Sequence, residues 1–297
     1  MKLGISLPQF GPMLTDAASV RHFATRTEEL GYGSLWAGDR LFVPLRPKSA
    51  YPGDDYSLYL ERVGRNADPL TLVATAAAVT SHVRFNFSTL NAPLHEPVQL
   101  ARTLTTLDFL SNGRLDVGFG LSWVRDEYDA LGLEWANRGR RLDDILSFLD
   151  AWWTTNPVTF ESPTLSLPPA QVDLRPVQPG GPPVWLGGAS EAALYRVGRR
   201  AAGWLIFDSL PTEFAASLWE VARRSADAAG RDPDALKRSV RVNVEQGEQV
   251  DRIIERLDKV AASGADEAVV EFNLALSAVD EALEFAQEVI QKRGGWR

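Results

Sequence analysis

The chain has no cysteine, and only three histidines and two methionines among 297 residues. Without cysteine there are no disulfides, thiolate metal sites or cysteine nucleophiles. His22, His82 and His95 show no metal-ligand spacing, so no metal site is expected. His-Glu-x-x-His, Gly-x-Ser-x-Gly and Walker sequences are all missing. Positive charge is short too: 31 Lys+Arg against 39 Asp+Glu leave a net charge of −8, which opposes binding to a nucleic-acid backbone. No apolar run approaches the roughly 20 residues of a membrane span, so no membrane partner is expected. The opening MKLGISLPQFGP has neither a long apolar core nor a cleavage site, and reads as a first strand rather than a signal peptide. A cytoplasmic location is the expectation.

What is present is alternation. Short apolar runs recur eight times: KLGISLPQ, GSLWAG, VRFNFSTL, RLDVGFG, PVWLGG, GWLIF, SVRVNVE and EAVVEF. Helical spacing separates them. Leu142, Ile145, Leu146, Leu149 and Trp152 share one face, as do Val250, Ile253, Ile254, Leu257 and Val260. Leu283, Ala286 and Ile290 mark a last helix; Leu100, Leu104, Leu107 and Leu110 mark an earlier one less cleanly. Asp16 and Ser190 are placed to cap helices that stop near Gly31 and Gly203. Eight such repeats without a linker predict an α/β fold, a single (β/α)8 TIM barrel over residues 1–297. A doubly wound sheet shares the local rhythm and is the structural alternative. Two insertions are predicted: residues 40–68 after strand 2, and proline-rich residues 155–182 before strand 5. The first leaves the carboxyl end of a strand, where barrels keep their active sites, and is expected to form a lid or substrate wall.

The stretch RLDVGFGLSW, residues 114–123, imitates a dinucleotide-binding turn. That fingerprint needs a third glycine and a helix starting at once. Trp123 stands at the third position, and the next helix is expected only near Gly139. Gly118 and Gly120 read better as a strand end where missing side chains let a flat ring lie close to the backbone. A second site, PPVWLGGASEAAL, ends a strand at Gly187 and Gly188 and caps a helix at Ser190, a pattern suited to an anion. Together the two suggest a planar, phosphate-bearing cofactor across a barrel mouth.

At this point the chain resembles the bacterial-luciferase-like monooxygenase family. The resemblance runs through GYGSLWAGDRLF (31–42), NAPLHEPVQLARTLTTLDFLSNGRLDVGFGLSWVRDEYDALGL (91–133), NRGRRLDDIL (137–146) and PPVWLGGASEAAL to GW (182–204). The 91–133 block is the most specific. The long insert after strand 2 and the PPVWLGGAS form resemble a branch that uses the deazaflavin coenzyme F420. The resemblance implies F420, or alternatively FMN, with its ring at the carboxyl ends of the strands. It places Asp39 near the ring's polar edge and Ser88-Thr89 at a cis peptide against the ring. Gly120, Leu121 and Ser122 would line the ring, and Gly187, Gly188, Ala189 and Ser190 would hold the phosphate. It also implies a homodimer, a small-molecule substrate and, with FMN, a partner reductase.

Two positions depart from the family pattern. Many relatives have Asp-His where Asp39-Arg40 stands, and a sugar-phosphate dehydrogenase of the family has glutamate at the position of Trp123. Arg40 does not titrate near neutrality but stabilises anions. The catalytic candidates are therefore Asp39, Arg40 and His95, which follows strand 3; Trp123 is the candidate substrate contact. Asp54-Asp55 and Asp126-Glu127 read as solvated loop charge rather than a hydrolytic pair, and RRAAG and VARRSADAAGR as solvated helix faces. The alternatives are an oxidoreductase moving hydride with F420, an FMN-dependent monooxygenase, a flavin-binding protein without turnover, and a hydrolase on the same barrel.

Overall fold

A computed structural model describes residues 1–293. Its strands are β1 Lys2–Ser6, β2 Ser34–Ala37, β3 Arg84–Phe87, β4 Val117–Phe119, β5 Val158–Glu161, β6 Ser166–Ala170, β7 Val184–Gly187, β8 Gly203–Phe207, β9 Lys237–Asn243 and β10 Glu267–Glu271. Each of the eight apolar runs contributes one strand to a parallel sheet, in the order β3-β2-β1-β10-β9-β8-β7-β4. Parallel bridges Phe85–Leu115 and Leu90–Phe119 join its two ends. That closure makes a barrel and removes the doubly wound alternative. The antiparallel hairpin of β5 and β6 lies outside the ring and was not anticipated from the proline-rich segment.

The helices are α1 Ala17–Leu30, α2 Tyr56–Val63, α3 Pro69–Ala77, α4 Pro97–Leu110, α5 Arg125–Ala130, α6 Arg138–Thr154, α7 Glu191–Arg200, α8 Thr212–Ala228, α9 Val250–Ala262 and α10 Val279–Arg293. None is long and apolar enough, among the described residues, to cross a membrane. Local chemistry sets their ends. The Asp16 side chain accepts from Ser19 N at 2.7 Å to start α1, and Gly31 ends it at φ +94°, a conformation that costs glycine least. Asp68-Pro69 and Glu96-Pro97 start α3 and α4 with a carboxylate cap followed by proline, which has no N–H to leave unsatisfied. The short α5 interrupts the segment expected to be irregular up to Gly139. Arg231, expected in solvent, instead donates to Ala201 O at 2.6 Å and to Gly198 O, clamping the end of α7.

The apolar faces read from the spacing are the packed ones. Leu142, Ile145, Leu146, Leu149 and Trp152 are buried, as are Val250, Ile253, Leu257 and Val260; Leu110 is exposed. A separate cluster of Trp36, Trp185, Leu205 and Val269, one side chain from each of four strands, packs the inside of the barrel. Below it lies Glu267, buried on β10, which accepts from Ser34 Oγ. Burial pushes the Glu267 carboxyl up, and nearby Asp116 pushes the same way.

A raised folded value means that the folded chain holds this proton more tightly than the unfolded chain. Stability is then lost as pH climbs from the ordinary glutamate value through the raised one. Glu267→Gln, which cannot ionise, is expected to raise the melting temperature at pH 8 relative to the parent. The gain should shrink toward pH 4, as thermal unfolding across that range would reveal. An equal gain at both pH values would contradict it.

Candidate active site

The loops leaving the carboxyl ends of β2, β3 and β4 are laced together around Asp39. Its side chain is 2% exposed. Oδ2 accepts from Asn91 N at 2.8 Å and lies 3.0 Å from His95 Nε2. Asn91 Nδ2 donates to Asp39 O at 3.0 Å, and Asn91 Oδ1 accepts from Ser122 N at 2.9 Å. Asn91 therefore fixes both its neighbours, a role the sequence does not advertise. Asp39 thus engages the His95 ring through Nε2. His22 and His82 are exposed on the far elements that carry them.

Arg40 occupies a different environment from the one expected. Its Nη1 donates to Glu127 Oε2 at 2.8 Å and to Ser122 Oγ at 3.0 Å. Both side chains are buried, Glu127 completely. Glu127 also accepts from Leu41 N and Ser122 Oγ, each at 2.8 Å. Reading Asp126-Glu127 as solvated charge is thus wrong for Glu127, because α5 turns it inward onto Arg40. Burial pushes the Glu127 carboxyl up, against the opposing pull of Arg40, the Ser122 hydroxyl and the Leu41 amide. Arg40 is a neutralised cation. Its guanidinium sits 5.5 Å from the centre of the Trp123 ring. Tyr51, Tyr56 and Tyr59 of the segment after β2 surround that indole at 5.3, 6.3 and 5.7 Å between ring centres. The segment joins the site as an aromatic wall. Burial, with Tyr59 beside it, pushes the Tyr51 phenol up to about 12, so it stays a neutral donor at physiological pH.

The Ser88–Thr89 peptide is cis. A Cβ on Gly120 would collide with the Thr89 side chain, and one on Gly187 would come within 2.9 Å of Thr89 Cγ2. A Cβ on Gly118 would strike the Phe87 carbonyl. The neighbouring strand thus accounts for glycine at 118 and 120, whatever lies above them. The Leu121 carbonyl accepts from Tyr128 OH at 2.6 Å, and Ser122 adopts φ +57°. Gly188 has φ +132°, which disfavours any side chain, and its carbonyl accepts from Trp204 Nε1 at 2.8 Å. Gly188, Ala189 and Ser190 are exposed where α7 begins, and the amides of a first helical turn have no acceptor within the helix. Ser190 Oγ accepts from Ala193 N at 3.3 Å as its cap.

Sequence reasoning missed Arg241 and Asn243 of β9. Arg241 reaches across the barrel from β9 to β3, where Nη1 donates to Ser88 O at 2.6 Å. Its guanidinium lies 4.4 Å from the Phe207 ring centre. Its Nε is buried without a partner, and so is Asn243 Oδ1. The alternation V-R-V-N-V carried the signal: in a barrel strand the polar face points into the mouth as readily as into solvent. Trp36, Trp185 and Trp204 are core residues.

Comparisons with known proteins agree with this architecture. The chain is 26% identical over 285 residues to an uncharacterized protein of Mycobacterium tuberculosis (strain ATCC 25618 / H37Rv), covering 94% of each. The solved structure of the monooxygenase RslO1 from Streptomyces bottropensis superposes with a TM-score of 0.77 at 21% identity, covering 98% of this chain and 97% of that one. An F420-dependent secondary alcohol dehydrogenase, solved with an F420-acetone adduct, superposes at 0.77 with 15% identity and 99% coverage of each chain. The family model described as luciferase-like monooxygenase matches residues 1–294, and the chain belongs to that family.

Proposed function

We propose that this chain is an oxidoreductase that holds F420 across the barrel mouth and moves hydride between it and a small organic substrate. One observation carries the reading. The same end of the barrel holds a glycine-flanked helix start exposed at Gly188–Ser190, the Thr89–Gly120 wall and the buried Asp39 bonded to a half-buried His95. The glycine-bounded start of α7 fits a phosphate, since first-turn amides favour an anion and Gly188 has no side chain to obstruct it. Thr89, Gly120, Leu121 and Ser122 would flank the ring. When bound, F420 supplies a carbon-held hydride. The residues supply position, shelter from water and a proton. Asp39 orients the His95 ring through Nε2, leaving Nδ1 to give or take the proton that accompanies hydride transfer to a carbonyl or from an alcohol. Arg40, neutralised by Glu127, supports the wall that carries Trp123.

The family's description as monooxygenases favours a second reading: FMN, reduced by a separate enzyme, with oxygen as co-substrate. Binding of purified protein to F420 and FMN, measured side by side by ultrafiltration and absorbance, separates the two. Tight retention of F420 with little FMN is the expected result. The reverse would establish the second reading, and retention of neither would remove both.

A further inference from the structure

From the mouth's charge and shape, we infer that the substrate is a planar aromatic acid whose carboxylate is received by Arg241 and whose ring lies against Phe207 and the Tyr51–Tyr59–Trp123 wall. The inference rests on reading this mouth as the redox site, and it assigns the substrate class to that site.

Arg241 is the cation there that the protein does not neutralise. Among the described residues no carboxylate forms an ion pair with it. Glu271 acts on it only from a distance, and that carboxylate is occupied by Ser6 Oγ at 2.6 Å and by Asn273 N and Nδ2 at 2.8 and 2.7 Å. Arg40, the other guanidinium near the mouth, has its carboxylate in contact. Arg241 is half-buried, and a charge partly withdrawn from water without a counter-ion carries a cost, in keeping with burial lowering its pKa. An incoming anion removes that cost.

Asn243 strengthens the argument. It lies two residues further along β9, on the same face by strand periodicity, and its buried Oδ1 also lacks a partner. Two successive inward-facing side chains on one strand thus each keep a buried polar atom without a protein partner, which an incoming ligand can engage. A guanidinium offers a planar fork that matches a carboxylate. Its fixed orientation follows from the bond to Ser88 O and from stacking on Phe207, which is 45% exposed.

The flat apolar body follows from the surroundings. Tyr51 and Tyr59 pack 4.8 Å apart, and Tyr51 lies 5.3 Å from Trp123. Arg241 meets this side of the mouth at Ser88 O, next to Thr89, whose side chain packs against Gly120, three residues before Trp123. Aromatic faces of this kind favour another ring in offset or edge contact. A carboxylate-bearing ring satisfies the cation and the wall together.

Calorimetric titration of the cofactor-loaded protein with cinnamate, and with the neutral cinnamamide, tests this. Saturable cinnamate binding, with cinnamamide at least about tenfold weaker, is expected from loss of the charge-assisted bond. Arg241→Met should weaken cinnamate by a similar factor, and Arg241→Lys should recover part of it. Thermal unfolding reports whether each variant is folded. Equal binding of acid and amide, or no saturable cinnamate binding, overturns the inference even if neither variant folds. Cofactor retention is measured on the same samples. Retention without cinnamate binding sinks the substrate assignment alone, whereas cinnamate binding without retention sinks the cofactor reading and leaves Arg241 as an acid-binding residue.

Discussion

Glu127→Ala is expected to cost about 3–5 kcal/mol of stability, because it leaves the Arg40 guanidinium buried without its carboxylate. Glu127 is fully buried, accepts from Leu41 N and the Ser122 hydroxyl, and bonds the guanidinium at 2.8 Å. Removing it takes the acceptor from the Leu41 amide and the Ser122 hydroxyl and the counter-ion from Arg40. The melting temperature should fall by roughly 5–8 °C for a chain of this size. The double substitution Arg40→Met with Glu127→Leu should recover the part due to the stranded charge, since apolar groups of similar volume often replace a buried pair without penalty. The Leu41 amide and Ser122 hydroxyl still lack the Glu127 carboxylate in that variant. Thermal or denaturant unfolding of the three proteins decides it. A single-variant loss below about 1 kcal/mol, the size of an exposed pair, would mean that water solvates Arg40.

Gly188→Val should act on binding more than on folding. The φ of +132° suits glycine, and a Cβ there would approach Ala193 Cβ to 2.8 Å. The added strain, on the order of 1–3 kcal/mol, falls on the turn that presents the first amides of α7. Retention of F420 is expected to weaken about tenfold or more, with a melting temperature only a few degrees lower. Unchanged affinity would move the phosphate site away from this turn.

The barrel strands were legible because a parallel strand is buried on both faces and therefore reads as an apolar run, as in Ala268–Val270 of EAVVEF. The capped helices were legible because Asp16 and Ser190 act on amides only three residues ahead. The hairpin of β5 and β6 was hidden by Pro168 and Pro169, which sit on exposed strands outside the ring. Glu127 was hidden for another reason. Whether a carboxylate is solvated or buried depends on its partner, and Arg40 lies 87 positions away. Nothing local distinguishes Glu127 from Asp126. Asn91 and Arg241 escaped similarly, since their bonds to Asp39 and Ser88 exist only once the barrel closes. Single residues at strand ends could be nominated from sequence, but the network joining them could not.

The Thr89 side chain occupies space that a methyl group at position 120 or 187 would need. These three positions, on three adjacent strands, share one volume. A chain drifting under mutation can enlarge one of them only after another has shrunk, so the order of substitutions is constrained as well as their identity. Alanine at position 89 would clear position 187, which only the Thr89 methyl crowds, whereas position 120 would still meet the residue-89 Cβ at 2.8 Å and opens only with glycine there. The width of this wall should therefore be inherited as a triplet, and diversification of the mouth should proceed more freely through residues 41–63, none of which is among the nearest neighbours of a Cβ at either glycine.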